Sequence, residues 1–386
     1  MHILFTPSWY PETAESFAGS FFREQAQAFV QDGHRVGVLA LKTVPVYEPG
    51  KYFSSPYRST QSADEDGVRV LRRTRLSPAP KLHRVNNSLA IRDLTRMFHE
   101  YEAVHGTPDV LHAHSMFDGG IWTAALSRAT GIPFVLTEHR PSSIGRTRVK
   151  GWRGPAMRAA TEARALIAVA KGFVPELNAA YGDAASKRWQ YVPGLLSPQF
   201  EDIEIRREGN ERFVFGHVSH LAPGKRVDLL LRSFARMVRE GLSADLRVVG
   251  GSESLPDLRR LAAQLGIDQH VTFTGPVARE RIVDEFQKMD AFVLPSVAEA
   301  FGTVLWEAMA CGLPVVSTRT WAGANAVQEG ITGVTVPIDD EAALAEAMES
   351  MISSRDLYDP ATIREACLAH CGHDEFTRQY LELYRS

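Results

Sequence analysis

The sequence predicts an α/β protein of two tandem Rossmann-like, doubly wound domains facing across a cleft. Three observations predict it. Short apolar runs alternate with longer amphipathic segments over most of the 386 residues. This rhythm stops near residues 194–210, where Pro, Ser and charge replace apolar periodicity, and then begins again. The chain is also longer than one compact core, which stops growing at roughly 250–300 residues.

The elements follow in order. An apolar run at 3–6 leads to a helical pattern at 19–31 (Phe21, Phe22, Gln25, Ala26, Phe29), the turn Asp32-Gly33-His34 and a second run at 35–40. This is a βαβ unit, and its short apolar strands fit a parallel sheet covered on both faces. Strand 110–112, helix 120–129, strand 134–137, helix 154–164 and strand 165–170 continue the first half. In the second half, strands at 213–218, 246–249, 271–273, 291–294 and 314–317 alternate with helices at 227–239, 255–265, 278–289, 303–311 and 341–352. A last amphipathic helix at 374–385 carries Phe376, Tyr380, Leu383 and Tyr384. The expected divisions are a first domain at 1–195, a linker at 196–212, a second domain at 213–370 and a C-terminal helix within 371–386. Doubly wound sheets bind ligands at the carboxyl ends of their strands, so the loops after strands are where chemistry is expected.

Composition removes several classes. With 44% hydrophobic and 23% charged residues the chain has an ordinary soluble composition. No apolar run reaches the roughly 18 residues that span a bilayer. The start, Met1-His2-Ile3-Leu4-Phe5-Thr6-Pro7, reads as a strand without a charged leader, so no signal peptide is expected. Three cysteines exclude a disulfide framework and fit a reducing, cytoplasmic setting. No repeat of fixed period and no low-complexity tract is visible. The net charge of −3 divides into +7 over residues 1–195 and −10 over 196–386.

The richest loop follows the strand at 291–294. It runs Pro295-Ser296-Val297-Ala298-Glu299-Ala300-Phe301-Gly302 into a helix that begins near Thr303 and carries Glu307. The amides at such a helix start favour a phosphate, and Gly302 lets a ligand approach the backbone. Two glutamates at this spacing also fit a dipole-favouring Glu followed by a surface Glu.

This stretch, continued by Glu307-Ala308-Met309-Ala310-Cys311-Gly312-Leu313-Pro314-Val315-Val316, resembles the Glu-x7-Glu signature of the retaining glycosyltransferases of family 4, which have the GT-B fold. Phe273-Thr274-Gly275, Gly330-Ile331-Thr332-Gly333 with Val336, and Val110-Leu111-His112-Ala113-His114 extend the resemblance over nearly the whole chain. It implies sugar transfer from a nucleotide-sugar donor, UDP- or GDP-linked, with retention of configuration. It assigns Glu299 to the donor sugar hydroxyls and Glu307 to the ribose. It places Ala300, Phe301, Gly302 and Thr303 against the sugar and diphosphate, and Gly275 and Val277 among the donor contacts. It also makes 1–195 the acceptor-binding domain and 213–370 the donor-binding domain, with the helix within 371–386 crossing back to the first domain.

The loop Val218-Ser219-His220-Leu221-Ala222-Pro223-Gly224-Lys225-Arg226 also joins a strand to a helix, as a diphosphate site would. The family motif here is Gly-Arg-Leu followed by Lys-Gly. Lys225 matches its Lys and is expected to stabilise the leaving diphosphate. His220 stands where the family has Arg, and Arg226 where it has Gly. Either His220 or Arg226 supplies the second cation.

In the first half, Gly19 lies where the family often has a Gly-Gly pair that closes over the donor phosphate. It also fits a plain helix start. His112 and His114 point the same way from one strand. By resemblance, His114 contacts the donor sugar near the reacting carbon. Glu138 and His139, with Arg140 beside them, match an acceptor-side segment in which either could orient the acceptor hydroxyl. No carboxylate suggests itself as a nucleophile for double displacement. The same-face attack proposed for the family that the chain resembles, in which the acceptor hydroxyl enters beside the departing phosphate, is therefore the expectation.

Two segments concentrate the basic charge. Residues 69–96 hold Arg69, Arg72, Arg73, Arg75, Lys81, Arg84, Arg92 and Arg96 against Asp93, for +7. Residues 140–164 hold Arg140, Arg146, Arg148, Lys150, Arg153, Arg158 and Arg164 against Glu162, for +6. Apolar residues interleave with both, which fits an anionic or lipid-linked acceptor, an anionic membrane surface, or a solvated face with snorkelling Arg. No nucleic-acid motif accompanies them. A role in glycolipid or cell-surface polysaccharide synthesis follows as the expectation.

Cys367, His370, Cys371 and His373 are zinc-type residues, but their spacing matches no zinc motif and fits packing cysteines. The chain has no Asp-x-Asp tripeptide, and the resemblance implies no metal and no resident cofactor. Val192-Pro193-Gly194-Leu195 and Ala322-Gly323-Ala324-Asn325 depart from the family's Asn-Gly-Val-Asp and Gly-Gly-x-Pro-Glu, so donor identity does not carry over. A nucleotide-sugar epimerase or sugar-phosphate synthase on the same fold is the rival reading. A nicotinamide oxidoreductase lacks its Gly-x-Gly-x-x-Gly.

Overall fold

The computed structural model describes residues 1–13, 19–182, 188–206 and 211–386. The chain forms two units. One holds Met1–Leu195 and Thr377–Ser386, the other Leu196–Phe376.

The first unit is built on eight strands: β1 (His2–Pro7), β2 (Arg35–Pro45), β3 (Gln61–Glu65), β4 (Val68–Ser77), β5 (Val110–His114), β6 (Phe134–Glu138), β7 (Ala165–Ala168) and β8 (Trp189–Tyr191). Their order across the sheet is β3-β4-β2-β1-β5-β6-β7-β8. All neighbours are parallel except β3 and β4. Every residue of β1 is buried, as expected of a central parallel strand with helices on both faces. Phe5 faces Val38 on one side and His112 on the other.

The second unit has six strands: β9 (Phe213–Val218), β10 (Ala244–Val249), β11 (Val271–Gly275), β12 (Ala291–Leu294), β13 (Val315–Thr318) and β14 (Gly333–Val336). All are parallel, in the order β11-β10-β9-β12-β13-β14. Phe215, Val248, Phe292, Val293, Val315 and Val316 make a dry core under its helices.

In both sheets the order of the parallel strands reverses direction once. The reversal lies between β1 and β5 in the first unit and between β9 and β12 in the second. At such a switch point the loops after the two strands diverge to opposite faces and leave a crevice.

Three sequence expectations need correction. Residues 69–96 are not one basic surface segment. Val68–Ser77 is β4, the second strand of a hairpin whose turn is Asp66-Gly67, both with positive φ (53° and 86°). Asp-Gly at such a turn matches the strand twist. Arg69 lies directly across from Asp64 and pairs with it. Arg72 and Arg75 are buried, 5% and 6% exposed, and pair with Glu65 and Asp93 respectively. The acids of the hairpin and of Asp93 thus absorb the strand's charge. Lys81, Arg84, Arg92 and Arg96 stay exposed, on or just before the long helix His83–His105. Second, the helix expected at 278–289 is a single turn at Arg279–Arg281 followed by the short helix Ile282–Phe286. Third, the helix expected at 154–164 is Arg153–Glu162, ending at an extended Ala163.

Among the described residues, no helix is long and apolar enough to cross a membrane.

Candidate functional site

In the second unit, the loops at the β9/β12 switch point hold the residues the sequence singled out. The loop after β12 ends at Gly302, a left-handed residue (φ 69°, ψ 52°) that starts helix Thr303–Ala310. A Cβ at Gly302 would lie 2.6 Å from Cβ of Ala322, so the backbone here needs glycine on two counts. Buried contacts hold this loop from behind. Thr318 Oγ1 donates to the Ser296 carbonyl at 2.5 Å. The Ala322 amide donates to the Glu299 carbonyl at 3.2 Å. Trp306 Nε1 donates to the Phe301 carbonyl at 3.2 Å, and the Trp306 ring stacks on Phe301 on one side and His370 on the other.

The Lys225 loop meets this loop directly. The Val297 amide donates to the Gly224 carbonyl at 3.0 Å. Lys225 Nζ lies 2.5 Å from Glu299 Oε1, with both side chains partly shielded from solvent. Arg226 is turned elsewhere. Its guanidinium pairs with Asp228 and Asp339, so its charge is already matched by carboxylates. His220 is exposed. Glu307 lies in the second turn of its helix, close enough to Cys311 for its charge to help burial push that thiol up. Ala300, Phe301 and Glu307 are half-buried and Thr303 is exposed, beside the first turn of the helix where N–H groups lie outside the intrahelical ladder. Gly275 ends β11 and Val277 follows it, and the Gly275 carbonyl accepts from the Gly250 amide at 3.0 Å.

In the first unit, Gly19 starts helix Ser20–Gln31 with φ 86°. Of the loop before it, Ser16, Phe17 and Ala18 lie outside the described residues. His114 ends β5 at the switch point and is wholly buried. Its ring centroid lies 4.0 Å from His112, 4.6 Å from Phe5 and 4.7 Å from Phe22. Its Nδ1 lies 3.2 Å from His139 Nε2, while its Nε2 is buried without a hydrogen-bond partner among the described residues. Burial holds all three imidazoles uncharged: His112 and His114 fall well below the ordinary value, and His139 falls to about 3.

Glu138 is also wholly buried, and its carboxylate accepts the amides of Met116, His139 and Arg140 at 2.9–3.0 Å. Burial pushes its carboxyl upward, against the pull of those bonds. In this structure Glu138 therefore ties down the loops after β5 and β6 and presents no oxygen to solvent. Arg140 is exposed, and its guanidinium lies 3.4 Å above the Trp9 ring.

The comparisons with known proteins agree with this layout. Residues 18–193 match the family model described as a glycosyl transferase 4-like domain, and residues 198–364 match that of glycosyl transferases group 1. The chain belongs to glycosyltransferase family 4. Among curated relatives of this glycosyltransferase is D-inositol 3-phosphate glycosyltransferase 1 of Catenulispora acidiphila, 28% identical over 92% of this chain and 96% of that one. The D-inositol 3-phosphate glycosyltransferase of Geodermatophilus obscurus is 30% identical over 69% of this chain and 64% of its own length. Among solved structures, sucrose-phosphate synthase of Thermosynechococcus elongatus has the same GT-B fold with TM-score 0.74 at 19% identity, covering 100% of this chain and 98% of that one. An Anabaena protein solved in complex with UDP and glucose matches with TM-score 0.71 at 18% identity over the full length of both.

Several features of this family 4 enzyme escaped the sequence reading. Asp118, just after β5, is half-buried near Arg140, Arg146 and His83, and burial pushes its carboxyl up against their pull. Its place after a switch-point strand was the available signal. Tyr384 and Tyr380 bring their hydroxyls to His112 Nδ1 (2.7 Å) and Thr137 Oγ1 (3.1 Å), and Thr137 in turn meets His112 Nε2 at 2.8 Å. The resemblance implied a C-terminal helix that crosses back to the first domain, but no local pattern names the hydroxyls' partners, more than two hundred residues away. Cys311, Cys367 and Cys371 are buried thiols, and Cys367 Sγ faces the Trp306 carbonyl at 3.2 Å.

Proposed function

We propose that this enzyme moves a glycosyl group from a nucleoside-diphosphate sugar to a hydroxyl of an anionic acceptor, with retention at the anomeric carbon and without a metal. The observation that carries the reading is the Lys225–Glu299 pair at the β9/β12 switch point, beside the amino end of helix Thr303–Ala310. The lysine and the helix amides offer positive charge where a leaving diphosphate develops negative charge. Glu299 accepts sugar hydroxyls, Glu307 the ribose, and Gly275 and Val277 join the donor contacts. The chain's likeness to a protein solved with UDP and glucose supports a UDP-sugar as the first donor to try.

In the reaction the anomeric C–O bond to the diphosphate breaks and a bond to the acceptor oxygen forms on the same face. The acceptor proton passes to the departing phosphate oxygen. Lys225 holds that oxygen's charge.

The first unit takes the acceptor. Arg140 and Arg146 lie near Asp118 after the switch-point strand β5, and an acceptor bearing phosphate suits them. The D-inositol 3-phosphate for which the relatives are named is the first such compound to test. His83 packs on Trp152 at 4.9 Å and so joins the two basic segments. Exposed Leu82, Val85 and Val149 lie among Lys81, Arg84, Arg148 and Lys150. This supports a lipid-linked acceptor or a peripheral contact with an anionic cytoplasmic membrane face in glycolipid or polysaccharide synthesis.

The test is a titration of UDP, GDP and ADP by thermal shift, followed by incubation of the matching sugar donors with and without D-inositol 3-phosphate and EDTA. Binding of one nucleotide and transfer that survives EDTA are expected. Donor conversion without acceptor would instead indicate an epimerase, and no nucleotide binding would end the reading. Co-sedimentation that does not depend on anionic lipid would end the membrane part.

A further inference from the structure

His217 lies in the middle of the second sheet, fully buried, and belongs to none of the roles above. Its Nδ1 lies 2.9 Å from the Val293 carbonyl oxygen of β12. A carbonyl only accepts, so Nδ1 carries the proton. Burial depresses the ring's pKa to about 4, which leaves Nε2 with a lone pair at neutral pH. That lone pair meets Ser219 Oγ at 2.8 Å. Ser219 must therefore donate its O–H to His217, and its remaining lone pair accepts the Leu221 amide at 3.0 Å. Every donor and acceptor in this chain of contacts is used once, in one direction.

The end of the chain is a strained residue. Leu221 has φ 51°, a left-handed conformation that a branched side chain adopts only when held there. Its carbonyl accepts from Ser252 Oγ at 3.1 Å, and the Ser219 amide donates to the Val249 carbonyl at 3.1 Å. The Ser219 carbonyl comes so close to Gly250 that a Cβ there would lie 1.8 Å from it. Residues 219 and 221 are thus pinned by β10 and the loop that follows it, and by His217 of β9, which is itself held by β12, and His220 is the exposed residue between them. Lys225 follows one turn later, its amide donating to the Ala222 carbonyl at 2.8 Å.

We propose that His217 and Ser219 act as a positioning pair that fixes the His220–Lys225 loop in the conformation that receives the donor diphosphate. This rests on the donor reading above. The pair touches no substrate. It works by supplying, from the sheet interior, the hydroxyl that holds Leu221 left-handed.

The test uses the full chain and four variants, Ser219→Ala, Ser219→Thr, His217→Phe and His217→Gln. UDP, GDP and ADP are titrated calorimetrically into the wild type, and the tightest is used throughout. Loss of the hold on Leu221 predicts that Ser219→Ala and His217→Phe raise the nucleotide Kd and the donor KM by about 3- to 10-fold. The expected change in kcat is under about 2-fold, because the interaction is made equally with bound donor and transition state. Ser219→Thr, which keeps the hydroxyl, restores Kd to near the wild-type value, and His217→Gln, which keeps an acceptor, restores it in part. The nitrogen resonances of His217 show an Nδ1–H tautomer at pH 7 whose Nε2 signal moves in Ser219→Ala.

Equal Kd in wild type and Ser219→Ala overturns the proposal, as does equal loss in Ser219→Ala and Ser219→Thr. A drop in kcat at constant KM also overturns it. A wild type that binds none of the three nucleotides overturns the donor reading itself, which separates the two failures. If His217→Phe does not fold, the serine pair of variants decides alone.

Discussion

Lys225 Nζ rests 2.5 Å from Glu299 Oε1, joining the loops after β9 and β12 where the second sheet reverses its strand order. Each residue neutralises the other's charge and holds the other side chain in place. On the proposed donor reading, a diphosphate competes with Glu299 for the lysine, and sugar hydroxyls compete with Lys225 for the glutamate.

Removing the cation should hurt chemistry more than binding. For Lys225→Ala, kcat/KM for the donor is expected to fall about 100- to 1000-fold, the range seen when a charge-stabilising group is removed. Initial rates at saturating acceptor check this. The loss of stability should stay within about 1–3 kcal/mol, since the partly shielded Glu299 is left without its partner. A loss of activity matched by a large loss of stability would show that the lysine is structural.

Gly302→Ala tests whether the helix start depends on its backbone. The left-handed φ of 69° strains any other residue, and the new methyl would crowd Ala322. Together these should destabilise the chain by about 1–3 kcal/mol. The displaced loop should also raise the donor KM. Urea unfolding and steady-state kinetics on one preparation measure both.

The buried imidazoles predict a sign for the pH dependence of stability. His139 is depressed to about 3 and His217 to about 4, and His112 and His114 lie well below the ordinary value. Between those values and about 6.5, the unfolded chain binds protons that the folded chain refuses. Stability from these groups is complete above about pH 6.5 and is lost as pH falls towards 4. Glu138, with its carboxyl raised by burial, acts in the opposite sense at the acid end of that window. The urea midpoint should fall steadily from pH 7 to pH 4.5, and less steeply in His139→Asn. Parallel curves for the two proteins would refute the assignment.

Tyr384→Phe should be costlier than Tyr380→Phe. The first leaves His112 Nδ1 buried without its partner, at about 1–3 kcal/mol. The second leaves Thr137 still bonded to His112, at about 0.5–1.5 kcal/mol. Equilibrium unfolding of the two variants ranks them.

Periodicity made both sheets legible, because a parallel strand buried on two faces must be apolar along its length, as β1 is. The loop chemistry of Glu299, Gly302 and Lys225 was legible because it is local in sequence. What escaped was pairing at a distance. Counting Arg69, Arg72 and Arg75 as surface charge ignored Asp64, Glu65 and Asp93, which the hairpin and the long helix bring to them. Glu138 was expected on the acceptor side because its segment matches one in the family, and local sequence did not reveal the three backbone amides that its carboxylate accepts. The Asp66-Gly67 turn was a visible hairpin signal within those residues.

The two tyrosine hydroxyls that complete the polar cluster around His112 are also the last part of that unit to be made. Residues 377–386 belong to the unit that residues 1–195 begin, and the whole second unit is encoded between them. Domains generally fold in the order of synthesis. Here the ribosome finishes residues 196–376 before the first unit receives its closing helix. The nascent first unit therefore waits with His112 unpartnered on that side, and a chain truncated before Tyr380 would keep all eight strands of the first sheet while lacking the hydroxyls that lock two of them.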